Sequence, residues 1–133
     1  MTDAPDLTGR SATIEVQTTP EMSASAYGNT GLEVLATPAL VGLFERAAMA
    51  AIDGTAEPGW RSVGTSIEMR HLAATPIGET VTLTATVTAA DGRALTFAIE
   101  ARDQVALIGD GTHSRFVVND ERFMERLRRG REA

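Results

Sequence analysis

The stretch from Thr37 through Pro38, Ala39, Leu40, Val41, Gly42, Leu43, Phe44, Glu45, Arg46, Ala47, Ala48, Met49, Ala50, Ala51, Ile52 and Asp53 to Gly54 constrains this chain more than any other. Its ends carry helix punctuation: Thr37 suits an N-cap, Pro38 the first turn, and Gly54 the C′ position. Between Pro38 and Ile52 the only charges are Glu45 and Arg46, so the helix has no polar face to offer solvent. Such a helix must be wrapped by other structure, and the rest of the chain has to supply the wrapping.

The flanking segments read as strands. Residues 12–17 alternate apolar and polar, while residues 1–10 before them show no pattern and are expected to fray. Residues 18–35 are small and turn-rich, with Pro20, Ser23, Ser25, Gly28, Asn29, Thr30 and Gly31 around a lone Tyr27; a loop of this length leading into the helix is a candidate lid. After a connection over residues 55–62, residues 63–72 read as a strand with Ile67, Met69 and His71 on one face. Residues 80–89 alternate strictly, Val81, Leu83, Ala85, Val87 and Ala89 standing opposite threonines, and Asp91-Gly92 marks a tight hairpin. Leu95, Phe97, Ile99 and Ala101 continue the apolar face on the returning strand. A turn near Asp103 leads into a run over residues 105–118, where Gly109 and Gly111 suggest a bulge. Asn119 or Asp120 then caps a short helix over residues 120–130, with Phe123, Met124 and Leu127 at helical spacing.

Strand, long loop, buried helix and four further strands make an α+β order, an antiparallel meander curled around one apolar helix. This is the arrangement called the hotdog fold. Its units pair through edge strands, which removes an exposed edge, so a homodimer is expected. With 133 residues the chain forms one domain, 1–133, of a size where dimerisation commonly adds burial.

Charge and composition exclude several functions. The net charge is −6 and all 12 basic residues are arginines, a balance that argues against nucleic-acid binding. The one basic cluster, Arg122, Arg126, Arg128, Arg129 and Arg131, is interleaved with Glu121, Glu125 and Glu132 and reads as a solvated helix end. No cysteine and only two histidines, His71 and His113, speak against a metal, and no cofactor is expected. The N-terminus lacks a signal-peptide pattern and no apolar run approaches about 20 residues, so neither a membrane span nor export is expected, and the reading is cytoplasmic.

Four segments, in order, resemble the fluoroacetyl-CoA thioesterase family of hotdog proteins. They are Ala36-Thr37 through Val41-Gly42-Leu43-Phe44-Glu45; Gly64-Thr65 through His71-Leu72-Ala73-Ala74-Thr75-Pro76; Asp91-Gly92-Arg93; and Ile108-Gly109-Asp110-Gly111-Thr112-His113-Ser114-Arg115. The resemblance implies an acyl-CoA substrate and a catalytic set of Thr37, Glu45 and His71, with Gly64 in the polar wall around the thioester. The family's fluoroacetyl-specific enzyme carries bulky aromatics in the lid, where this chain has Gly28 and Gly31. That difference leaves the acyl group open and implies little preference for fluoroacetyl-CoA.

Thioester hydrolysis needs a nucleophile, an acceptor for its proton, and donors for the developing oxyanion. Thr37, Glu45, His71 and backbone N–H groups can supply them. A carboxylate in an apolar helix is costly unless paired or used, and Arg46 is a poor partner because side chains at i and i+1 diverge. Thr37 and Glu45 are separated by about 12 Å of helical rise. Either the helix begins later, near Gly42, or substrate and water bridge the gap. His113 and Arg115 read as framework or dimer contacts. Two rival functions are a non-catalytic acyl-CoA binding protein and a hotdog hydratase; the latter usually carries an Asp and a His five residues apart, a spacing absent here.

Overall fold

The computed structural model describes residues 6–53 and 58–132. Five strands, β1 (Ser11–Gln17), β2 (Trp60–His71), β3 (Thr80–Asp91), β4 (Ala94–Arg102) and β5 (Leu107–Asn119), form one antiparallel sheet in the order β1-β3-β4-β5-β2. Helix α1 (Thr37–Ile52) packs on one face of it, chiefly against β1 and β3, and α2 (Asp120–Glu132) continues from β5. This is the expected α+β hotdog arrangement. The meander, however, is confined to β3, β4 and β5; β1 and β2 are the two edges.

Alternation on β3 and β4 builds the core. Val81, Leu83, Ala85 and Val87 face Leu95, Phe97, Ile99 and Ala101, and together they meet Leu40, Leu43, Phe44, Ala47, Ala48 and Ala51 of α1. Each large side chain buried here contributes roughly 1.5–3 kcal/mol, and the alanines let the helix lie close to the sheet. Ala89 departs from the expected face and is exposed. The register shifts between Val87 and Ala89, so Ala90 turns toward the core instead.

Gly111 pairs regularly with both neighbours, but the expected bulge is present beside Gly109: against β4 the register passes from Ala101–Gly109 to Arg102–Leu107, so Ile108 is an extra residue. Both glycines also mark close approaches. A Cβ on Gly111 would run into the Glu68 carbonyl oxygen, and one on Gly109 would lie 3.1 Å from the Arg70 carbonyl oxygen and from Leu40 Cδ2. β2 begins at Trp60, three residues before the expected start, because residues 60–62 pair with residues 117–119 of β5. β5 in turn begins only at Leu107, since the Asp103 carboxylate accepts the Val105 and Ala106 N–H groups at 2.8 and 2.9 Å and holds both in the turn.

The segment before β1 is tied down rather than frayed from Leu7 onward. Leu7 is buried, and Gly9 N–H donates to the Val87 carbonyl at 2.8 Å while Arg10 O accepts from Val87 N–H at 2.8 Å. Residues 18–35 contain two single helical turns, Pro20–Met22 and Ser25–Tyr27, and are anchored by backbone bonds from Leu35 to Thr75 and from Ile77 to Glu33. Gly28 and Gly31 sit exposed in this loop with φ of +102° and +91°, a backbone region that favours glycine.

Two expectations for α1 need correction. Its N-cap is Ala36, with no side-chain cap bond, so Thr37 is the first helical residue and not the cap. Nor do the described residues wrap the helix: Val41, Gly42, Glu45, Arg46, Met49 and Ala50 form a stripe the sheet leaves uncovered, with Met49 43% exposed. Gly54, read as the C′ residue, lies outside the described residues.

Candidate active site

The edge strand β2 carries the site, and a break in its register gives the site its shape. Gly64 pairs with Arg115, Ser66 with Ser114 and Ile67 with His113, so Thr65 is an extra residue. Cross-strand partners point to the same face, and Arg115 and His113 are buried. Ser62 and Gly64 before the bulge therefore share the inner face with Ile67, Met69 and His71 after it. A regular strand would have turned one of these groups outward.

At one end of β2, Thr37 Oγ1 lies 2.7 Å from His71 Nδ1. The hydroxyl is free for this contact because Thr37 caps nothing. Burial holds the His71 pKa below the ordinary imidazole value, with the Ala73 backbone pulling the other way, so the ring is neutral at neutral pH. Its Nε2 is buried and has no hydrogen-bond partner among the described residues. In the tautomer that accepts the Thr37 proton at Nδ1, Nε2 carries a hydrogen that meets no hydrogen-bond acceptor among the described residues. A hydroxyl in contact with a neutral imidazole is the pairing that activates an oxygen nucleophile.

The other end of β2 holds the carboxylate. Glu45 Oε2 accepts from Arg115 Nη1 at 3.0 Å, and the two side chains are 40% and 4% exposed, respectively. The cation is thus buried in the sheet while the carboxylate faces outward into the uncovered stripe. Arg115 also donates from Nε to Ser62 Oγ at 2.8 Å and from Nη2 to the Ser62 carbonyl at 2.9 Å. Burial lowers the guanidinium pKa from its ordinary value, and the Glu45 carboxylate opposes that shift. Gly64 lies directly beneath: a Cβ there would be 2.5 Å from Glu45 Oε2.

The structure therefore brings the expected residues together in two groups, Thr37 with His71 and Glu45 with Gly64. Because α1 starts at Thr37, the later start near Gly42 does not occur, and about 12 Å of helical rise separates the groups within one chain. Gly28 and Gly31 contact neither group through a side chain, having none, and shape the loop that precedes α1. Arg115 belongs to the site through its bond to Glu45, a place that the sequence reading of framework or dimer contact does not give it. The signal that could have found it was its place two residues after His113 on an alternating strand, where a buried cation requires a carboxylate and Glu45 lacked a partner.

Among the described residues no group of His, Cys, Asp and Glu converges as a metal site, and no helix is long and apolar enough to cross a membrane. The arginine cluster lies on α2, none of whose residues is buried; Asn119 Oδ1 accepts the Arg122 N–H at 3.0 Å at its start, and Arg129 pairs with Glu125 at 2.6 Å.

Comparison with known proteins bears on what this site does. The sequence model of the FlK family, fluoroacetyl-CoA-specific thioesterases, matches residues 18–121. The curated fluoroacetyl-CoA thioesterase of Streptantibioticus cattleyicolor is 46% identical over 96 residues, which are 72% of this chain and 69% of that protein. The crystal structure of an FlK mutant in complex with fluoroacetate and CoA is similar with a TM-score of 0.81 at 37% identity, over 87% of this chain and 98% of that one. A thioesterase superfamily member from Thermus thermophilus reaches a TM-score of 0.85 at 28% identity, over 94% of this chain and 93% of that chain.

Proposed function

The chain belongs to the family of fluoroacetyl-CoA-specific thioesterases and is a thioester hydrolase; on that premise we propose that it converts a small acyl-CoA to the free acid and CoA, in a cleft shared by two subunits. The observation that carries the reading is the 2.7 Å contact between Thr37 Oγ1 and His71 Nδ1, a hydroxyl and a base in place beside an uncovered helix face. His71 takes a proton from the attacking oxygen, which is Thr37's own hydroxyl or a water held by it. Glu45 is the charged partner of this exchange, and the backbone around Gly64 lines the thioester.

The shared cleft follows from the position of the two groups on an edge strand. When two copies of β2 pair antiparallel about a two-fold axis near Ser66 and Ile67, His71 of one falls beside the partner's Ser62 and the partner's Gly64. Thr37 and His71 of one subunit then meet the partner's Glu45, and the unpartnered Nε2–H acquires a carboxylate. The same pairing satisfies the free edge of β2 and covers the apolar stripe of α1. The loop with Gly28 and Gly31 closes over the acyl group and, with glycines at these positions in place of bulky aromatics, admits acetyl as readily as fluoroacetyl.

The test is turnover of a panel of acyl-CoA thioesters, acetyl-CoA and fluoroacetyl-CoA included, followed by release of free CoA thiol. Thiol release with short acyl groups is expected; none above the buffer rate across the panel would overturn the reading and leave a binding protein. Light scattering is expected to give twice the chain mass, and a monomer at every concentration would remove the shared cleft.

A further inference from the structure

Beside Arg115, His113 is a buried ionisable group at this site to which the proposed reaction gives no role. It is 2% exposed, and its ring lies against Phe97 with centroids 6.0 Å apart. Both nitrogens are engaged: Nδ1 is 2.8 Å from the Ser66 carbonyl oxygen and Nε2 is 3.3 Å from Arg115 Nη1. A carbonyl only accepts and a guanidinium only donates, so the ring is neutral, with its hydrogen on Nδ1 and its lone pair on Nε2. Burial and the Arg115 charge favour the same neutral form, the Ser66 carbonyl and Glu45 opposing.

The two contacts fall where the site geometry is set. Ser66 adjoins the extra residue of β2, so the Nδ1–H bond pins the bulge that keeps Gly64 and His71 on one face. Arg115 Nη1 has two hydrogens: one goes to His113 Nε2 and the other to Glu45 Oε2. An apolar side chain would fill the space beside Phe97 without the cost of burying two polar nitrogens. We infer that His113 is a positioning residue for the thioesterase site: as a neutral imidazole it fixes the bulge and orients Arg115, and through Arg115 it holds the Glu45 carboxylate over Gly64. The inference rests on the role proposed above for Glu45.

His113→Asn keeps a donor near the Nδ1 position and loses the reach to Arg115, whereas His113→Gln keeps an acceptor near Nε2 and loses the bond to Ser66. Each is made in the full chain and again together with Glu45→Gln, and kcat, KM and thermal unfolding are measured with acetyl-CoA. The expected result is a folded protein whose kcat falls tenfold or more with KM changed less than threefold. In the Glu45→Gln background the same substitution should lower kcat no further than twofold, because its effect runs through Glu45. A folded variant with kcat within twofold of the parent, or a tenfold loss that recurs in the Glu45→Gln background, overturns the inference. If one variant does not fold, the other decides by the same criteria, and if neither folds the role is structural only and the inference fails. Unimpaired turnover in Glu45→Gln alone would instead refute the role proposed for Glu45, so the two failures are distinguishable.

Discussion

Adding a single methyl group at Gly64 tests whether the Glu45 carboxylate must stand where it does. In Gly64→Ala the new Cβ would lie 2.5 Å from Glu45 Oε2, and an ordinary contact begins near 3.4 Å, so the carboxylate must retreat by about 0.9 Å. The other near neighbours, Arg115 Nη1 and His113 Cε1, are already at 3.4 Å and need not move. The methyl therefore acts on one group, the far end of a flexible side chain. A retreat of that size stretches the 3.0 Å bond from Arg115 toward the limit of hydrogen bonding. Misplacing a reacting group by about 1 Å typically costs on the order of 100-fold in rate, roughly 2.7 kcal/mol of transition-state binding. The fold should notice much less. Gly64 has an ordinary φ, and replacing glycine by alanine at such a position reduces the entropy of the unfolded chain by about 0.4–1 kcal/mol, which offsets part of the weakened ion pair. Melting is expected to shift by no more than about 4 °C. The assay is thiol release from acetyl-CoA alongside thermal unfolding. A variant with an unchanged melting temperature and turnover within threefold of the parent would show that the Glu45 position is irrelevant to the reaction.

Thr37→Val removes the hydroxyl and keeps the shape; since Ala36 is the cap, stability should change by under about 1 kcal/mol while turnover falls roughly 100-fold or more, and Thr37→Ser should retain activity. Equal turnover in Thr37→Val would assign the proton chemistry elsewhere. Burial lowers the His71 pKa within one chain, whereas the partner's Glu45 carboxylate in the proposed dimer raises it, so Glu45→Gln should move the acid limb of kcat/KM to lower pH; an unmoved limb in a pH–rate profile refutes the contact. For stability, His113 is buried within its own chain and its pKa is lowered in the folded state, so its contribution is full above the ordinary imidazole pKa and is lost as pH falls through the lowered value, which unfolding against pH should reveal. The ratio of kcat/KM for fluoroacetyl-CoA over acetyl-CoA should remain well under 1,000-fold; a larger ratio, on the order of 4 kcal/mol of discrimination, would locate selectivity outside the glycine-bearing loop.

Much of this architecture could be read from residue order, because period-two and period-3.6 patterns report which side of an element is buried. The β3–β4 hairpin, with Asp91-Gly92 at its turn and Leu95, Phe97, Ile99 and Ala101 returning, is the clearest instance. Patterns report poorly on pairing between distant strands. Nothing local in residues 11–17 or 60–71 says that both are edges, and nothing in Thr65 announces a bulge, since that residue is surplus only relative to β5. Thr37 misled for a related reason: threonine before proline is a good cap by composition, but the chain turns into the helix one residue earlier, and a tertiary partner, His71, takes the hydroxyl. The ion pair between Glu45 and Arg115 spans 70 residues, beyond the range of any spacing rule. Only the oddity of an unpaired carboxylate in an apolar helix pointed to it.

The bulge in β2 also sets a rule of arithmetic for this strand. Side chains keep time with a beat of two, and Gly64 and His71, seven positions apart, would be out of step without the extra beat at Thr65. The facing strand β5 takes only six steps between the partners of these two residues, Arg115 and Gly109. Deleting one residue between Gly64 and His71 would leave six against six, an even count that pairs without a bulge and keeps both groups on the inner side. Deleting two would leave five, one short of the facing strand, and His71 would fall out of step unless β5 took up the surplus. Loss of Thr65 alone should thus be tolerated where loss of a pair is not, so the count between Gly64 and His71, read against that of β5, carries information that the identity of the intervening residues does not.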